Sequence, residues 1–166
     1  MTASIVRSDD DRLEHALGLA YRLLNARDRT VSEMQRQLER KGVDTSTREH
    51  AIRILAELGY LDDERFARLF IADKCELERW GEDRIRSGLL ARGIDRDWVE
   101  TQLDHVRGSD DEAELDRALS LLRRRFPAPP LERRERDRAL GVLLRKGYDG
   151  ELALDALTAY ARGDRA

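Results

Sequence analysis

One heptapeptide, written three times, constrains this chain more than any other feature. LERKGVD, LLARGID and LLRKGYD align Lys41, Arg92 and Lys146; Gly42, Gly93 and Gly147; Val43, Ile94 and Tyr148; and Asp44, Asp95 and Asp149. The apolar frame around them stays in register. Leu38, Leu89 and Leu143 stand four residues before the glycines, Ile52, Leu103 and Leu157 ten after, and Leu55, Val106 and Tyr160 thirteen after. The glycines lie 51 and 54 residues apart, a period in the range of helical repeat architectures.

Each heptapeptide is the joint between two helices. A basic residue in a last turn favours the negative end of the helix dipole. Gly then takes the left-handed conformation that stops the helix without a Cβ clash. The apolar residue folds back on that last turn, and Asp caps the next helix. Ahead of each pair stands a further helix. Leu13, Ala16, Leu17, Ala20, Leu23 and Leu24 form the amphipathic face of the first. Thr30-Val-Ser-Glu33 then reads as a capping box. In the second copy Asp62 is the expected N-cap and Phe66, Leu69, Phe70 and Leu77 the stripe. Asp73 falls about 20° from Phe66 on a helical wheel, so a base from a neighbouring helix is expected to meet it. In the third, Ser109-Asp-Asp-Glu112 is a second capping box, Ala118, Leu119, Leu122 and Phe126 carry the face, and Pro127, Pro129 and Pro130 end the helix. Gly59-Tyr60-Leu61 and Gly108-Ser109 read as tight turns, and residues 1–9 and 162–166 as frayed ends.

The expected architecture is all-α: three tandem three-helix repeats, 10–60, 61–108 and 109–162, forming an elongated, curved right- or left-handed helical array. Composition agrees. Of 166 residues 39% are charged and only 5% aromatic, a balance that favours helices over a β-sandwich. No apolar run approaches a membrane span, and the first residues lack the apolar core of a secretory signal. Cys75 is the one cysteine, so no internal disulfide forms, which suits a reducing cytoplasm.

The stretches ILAELGYLDDERFARLF and ERWGEDRIRSGLLARGID resemble the RecX family of bacterial regulatory proteins. The matching features are Gly59-Tyr-Leu61, Asp62-Asp63-x-Arg65-Phe66-Ala67, Trp80-Gly81 before Arg84-Ile85, and the Leu89 and Arg92-Gly93-Ile94 stop. The likeness extends over about residues 12–161. Its third copy departs most: Tyr148 and Gly150 interrupt the aliphatic pattern, and Ala139 stands where Met34 and Ile85 stand. The resemblance implies a protein that binds in the groove of the RecA–DNA filament and mostly limits its growth, and with it ATP hydrolysis, strand exchange and coprotease activity in DNA repair and the SOS response. It implies no cofactor, weak contact with single- or double-stranded DNA, and no membrane. With no coiled-coil heptads, a monomer is the default.

Candidate contact residues divide into two groups. Arg79, Arg84 and Arg86 surround the start of the middle copy's second helix and come first for filament or phosphate contact. Arg123, Arg124, Arg125, Arg133 and Arg134 come second, in a stretch (123–138) with seven arginines against three acids. Arginine forks bind phosphate and carboxylate bidentately, although solvated faces and codon bias produce similar runs. The family-motif residues Asp62, Asp63, Arg65, Phe66, Trp80, Gly81, Gly42, Gly93 and Gly147 are mostly structural. Phe66 is expected in the core, Asp63 and Arg65 in an ion pair between units, Trp98 as a staple within its own unit, and Trp80 as an interface anchor or, preferably, a seal on the turn.

The chain is not expected to be an enzyme. His15, His50 and His105 share no metal spacing, Cys75 has no nearby histidine, and the glycines stand singly rather than in a phosphate loop. Two other readings stay open. A helix-turn-helix DNA binder would need Arg, Asn or Gln on its third helices, whereas TSTREHAIRILAEL and DRDWVETQLDHV are mixed or acidic. A plain helical adaptor for another protein is the other.

Overall fold

In the computed structural model, which describes residues 8–108 and 111–163, every regular element among those residues is a helix. The order is α1 Asp9–Ala26, α2 Val31–Arg40, α3 Thr45–Glu57, α4 Asp63–Glu76, α5 Glu82–Ala91, α6 Arg96–Gly108, α7 Asp111–Arg125, α8 Arg133–Lys146 and α9 Gly150–Arg162. None of these helices is long and apolar enough to cross a membrane.

The three joints have the form their chemistry demands. Gly42, Gly93 and Gly147 lie at φ 78°, 81° and 89°, in the left-handed region. The N–H of Val43 donates to the Leu38 carbonyl at 3.1 Å and that of Tyr148 to Leu143 at 3.2 Å, closing the last turns of α2 and α8. Asp44, Asp95 and Asp149 then accept backbone N–H groups of Thr47, Trp98 and Glu151 at 3.0, 2.9 and 2.8 Å. Of the nine frame positions, only Val106 keeps a half-exposed side chain; the others are buried. Each such leucine or isoleucine contributes about 1.5–3 kcal/mol by leaving water.

The chain divides into two compact units, Met1–Arg68 with Arg92–Ile94 and Leu69–Ala91 with Asp95–Ala166. In the first, α1 packs on α3 through the fully buried Ala16 and Ala20, and Met34, Leu38, Ile52, Leu55 and Leu61 complete the core. The Thr30–Glu33 capping box is present at the start of α2. In the second unit, α7, α8 and α9 enclose Leu119, Leu122, Leu143, Tyr148 and Leu157. The Tyr160 hydroxyl donates to the Phe126 carbonyl at 2.5 Å, where the proline segment begins. In the same unit α5 packs on α6 with Ile85, Leu89, Val99 and Leu103 buried.

Several expectations are corrected. Along α4 the buried residues are Ala67 and Ile71, whereas Leu69 is 59% exposed and the nearby Leu77 70%. The stripe is thus rotated by about one residue, with Phe66 and Phe70 on its half-buried edge. Asp73, off that face, pairs with its own neighbour Lys74 at 2.8 Å rather than with another helix. Gly108 ends α6 instead of forming a turn. Ser109, and with it the third capping box, lies outside the described residues. So do most of the ends expected to fray; of those described, Ser8 and Asp11 form a capping box on α1, and α9 runs to Arg162.

Candidate functional site

The starts of α2 and α5 are where polar groups concentrate, and each receives a glycine turn. At α5, Gly81 donates its N–H to the Lys146 carbonyl at 2.9 Å, and Asp83 donates to the Gly147 carbonyl at 3.2 Å. Lys146 donates its ammonium to the Glu78 carbonyl at 2.8 Å, and the Tyr148 hydroxyl reaches the Arg79 carbonyl at 2.9 Å. A Cβ on Gly81 would collide with the Gly147 carbonyl and the Tyr148 nitrogen, so only glycine lets the two backbones meet. At α2 the partner is the Arg92–Ile94 turn. Thr30 donates its hydroxyl to the Arg92 carbonyl at 2.6 Å while accepting from Glu33 N–H at 3.1 Å. A Cβ on Gly93 would overlap Ser32. Thr30 and Gly81 each stand twelve residues before their own turn glycine, so the two contacts are copies of one arrangement.

The motif residues support these contacts. Asp62 caps α4, accepting the Arg65 N–H at 2.8 Å. The expected Asp63–Arg65 ion pair is replaced by two separate roles. Asp63 accepts the Val31 N–H at 2.8 Å, and Arg65 donates to the Gly59 carbonyl at 3.0 Å. Burial raises the Asp63 carboxyl above its ordinary range, opposed by that hydrogen bond. Trp80 has its edge on Phe70, with ring centroids 6.1 Å apart, and the Arg84 guanidinium 4.1 Å from its own ring centroid. Among the described residues its buried indole N–H has no hydrogen-bond partner. Trp98 is half-buried at the start of α6.

Two of the first arginine group, Arg84 and Arg86, are held by side-chain contacts within the chain. Arg84 donates to the Arg145 carbonyl at 2.9 Å as well as stacking on Trp80. Arg86 holds Glu100 at 2.9 Å and Asp83 at 2.6 Å, with Glu82 at 3.9 Å. Partial burial opposes its charge, but the Glu100 hydrogen bonds and the neighbouring carboxylates raise its pKa above the usual value. Arg79, at φ 53°, contributes its backbone to the turn contact. The second group is different. Arg123, Arg124 and Arg125 at the end of α7, and Arg133 and Arg134 at the start of α8, all have exposed side chains.

Sequence reading missed a cavity of about 480 Å³ in the second unit. Glu82, Asp83, Glu114, Asp149, Glu151 and Asp155 line it, with Arg86 and Arg117. These acids come from three helices, α5, α7 and α9, and the turn before α9, so no local pattern could have revealed them. Among the described residues no group of three or more His, Cys, Asp or Glu is placed to hold a metal ion.

These joints and their recurrent contact define a tandem three-helix repeat protein. Residues 16–55 match the first three-helix domain of RecX and residues 62–103 the second. The regulatory protein RecX of Mycobacterium sp. (strain JLS) is 30% identical over 95% of this chain and 88% of its own length; that of Deinococcus radiodurans is 32% identical over 93% and 72%. A crystal structure of RecX from Lactobacillus salivarius superimposes with a TM-score of 0.73, covering 91% of this chain and 97% of that one at 19% identity. The chain belongs to the RecX family, whose named members here are regulatory proteins.

Proposed function

We propose that the protein binds the filament that RecA forms on DNA and restrains it, lowering ATP hydrolysis, strand exchange and coprotease activity. On this reading it acts in the bacterial cytoplasm, as a monomer of three repeats bounded at 10–60, 61–108 and 109–162, and without cofactor or catalysis of its own. Family membership supports the regulatory role. The observation that carries the nucleic-acid side is the arginine-rich surface at the end of α7 and start of α8, where Arg124, Arg125, Arg133 and Arg134 are exposed and engaged in no ion pair among the described residues. Guanidinium forks of this kind suit phosphate oxygens. Arg84 and Arg86 are better read as parts of the fold, because their guanidinium groups already bond within the chain; of Arg79 only the backbone carbonyl is so engaged, and its side chain stays a candidate for filament or phosphate contact.

The test is RecA-catalysed, single-strand-dependent ATP hydrolysis with the protein added well below one copy per recombinase. A reduction at such ratios supports hindered filament growth, since one bound copy then affects many protomers. Unchanged hydrolysis at equimolar protein would remove the proposal. Tight binding to one duplex sequence would instead favour a helix-turn-helix DNA binder.

A further inference from the structure

Three homologous glycine turns occur in this chain, and two of them are filled. The Arg92–Ile94 turn presents its Arg92 carbonyl to the Thr30 hydroxyl, with Ser32 against Gly93. The Lys146–Tyr148 turn presents the Lys146 and Gly147 carbonyls to the N–H groups of Gly81 and Asp83. In both, turn carbonyls meet the start of another helix, through the N–H groups of Gly81 and Asp83 at α5 and through the Thr30 hydroxyl at α2. Carbonyls left over at a helix end and donors at a helix start are complementary partners.

The first turn has the same backbone and, among the described residues, no occupant. Gly42 lies at φ 78°, Val43 closes the same hydrogen bond to Leu38, and a Cβ at Gly42 would meet nothing within 4 Å. Among the described residues no hydrogen bond reaches the carbonyls of Arg40, Lys41 or Gly42. We propose that the Arg40–Val43 turn is a docking element for another protein, taking the first turn of a helix that opens with Gly, Ser or Thr and offers a hydroxyl or N–H groups to its carbonyls. The two filled turns specify that occupant. A second copy of this chain fits less well. Its α8 spans 14 residues against 10 in α2 and α5, so its start overshoots the equivalent position, and Arg133 and Arg134 there would face Arg40 and Lys41.

This inference rests on the regulatory reading above, with the recombinase filament as the docked protein. The experiment compares the full chain with Gly42→Asn for binding to RecA filaments assembled on single-stranded DNA with a non-hydrolysed ATP analogue. Asn tolerates the left-handed region, and its side chain points into open space in the free protein. Gly59→Asn is the control, because Gly59 lies at φ 74° in an equally open turn. Gly42→Asp is the second variant should Gly42→Asn lose helicity by circular dichroism. The expected result is filament binding weakened about tenfold or more by Gly42→Asn, unchanged by Gly59→Asn, and lost by the same factor at about 0.3 M salt, since backbone contacts are screened little. Wild-type affinity in Gly42→Asn, or an equal loss in Gly59→Asn, would overturn the docking element alone. Absence of wild-type binding would remove the regulatory reading and this inference together. Concentration-dependent self-association abolished by Gly42→Asn in sedimentation would replace the foreign helix by a second copy.

Discussion

A methyl group at Gly81 would overlap the Gly147 carbonyl, so Gly81→Ala has to push the α5 start away from the turn it holds. We expect a loss of about 1–3 kcal/mol in chemical denaturation, the usual range for overpacking. Because the collision is with backbone, larger side chains should cost no less. Asp44 makes a different prediction. Hydrogen bonds from Thr47 and Ser46 hold its carboxyl at about 2, below the ordinary 3.8. A carboxyl with a depressed folded pKa stabilises above its unfolded value and loses that contribution as pH falls. Thermal melts should therefore drop between about pH 4 and pH 2, and Asp44→Asn should flatten that part of the profile. The two residues differ in legibility for a physical reason. Asp44 acts on its own helix three residues away, so its role was readable from spacing. Gly81 answers to residues more than sixty positions later, and the text showed only a Trp-Gly pair. Asp63 and Arg65 were misread because each serves a backbone group, Val31 thirty-two residues back for Asp63 and Gly59 in the preceding turn for Arg65, rather than each other.

Among the elements, α2 is held at its start by more than its capping box. Thr30 is buried, gives its proton to the Arg92 carbonyl and accepts the Glu33 N–H. Thr30→Ala should cost about 2–3 kcal/mol, above the ~1 kcal/mol of an ordinary cap, because the Arg92 carbonyl also loses its donor. Thr30→Ser should recover most of it; equal losses in both variants would mean that methyl packing, not the hydroxyl, carries the effect. Helix existence was legible throughout because the apolar frame repeats in register. The phase of α4 was not. Its text offers apolar residues on both candidate faces, and Ala67 and Ile71 go inside while Leu69 and Leu77 stay in water. Hydrophobicity alone cannot choose between faces of equal richness; the volume available beneath the helix does.

For the molecule as a whole, the two arginine groups should separate by assay. Arg86→Glu places a fourth carboxylate beside Glu82, Asp83 and Glu100 and should destabilise the second unit by about 1–3 kcal/mol. Charge reversal at Arg124 and Arg125 should leave the melt within about 0.5 kcal/mol of wild type, weaken DNA binding, and reduce its salt slope by about one to two. If the order is inverted, with Arg86→Glu stable and DNA-defective, the assignment of phosphate contact to α7 and α8 is wrong. The sequence put Arg79, Arg84 and Arg86 first and could not foresee the pairing of Arg84 and Arg86, since exposure and pairing depend on which acids the fold brings near.

The longer α8 has a consequence for building on this protein. Because the second and third glycine turns are each received by the helix start of the copy before, the series is more readily lengthened at one end. A module fused upstream of α1, with a second helix opening on serine or glycine, would find Gly42 ready to receive it, whereas one appended after α9 would have to displace an extra helical turn studded with arginine. An engineer wanting four copies should add to the amino terminus.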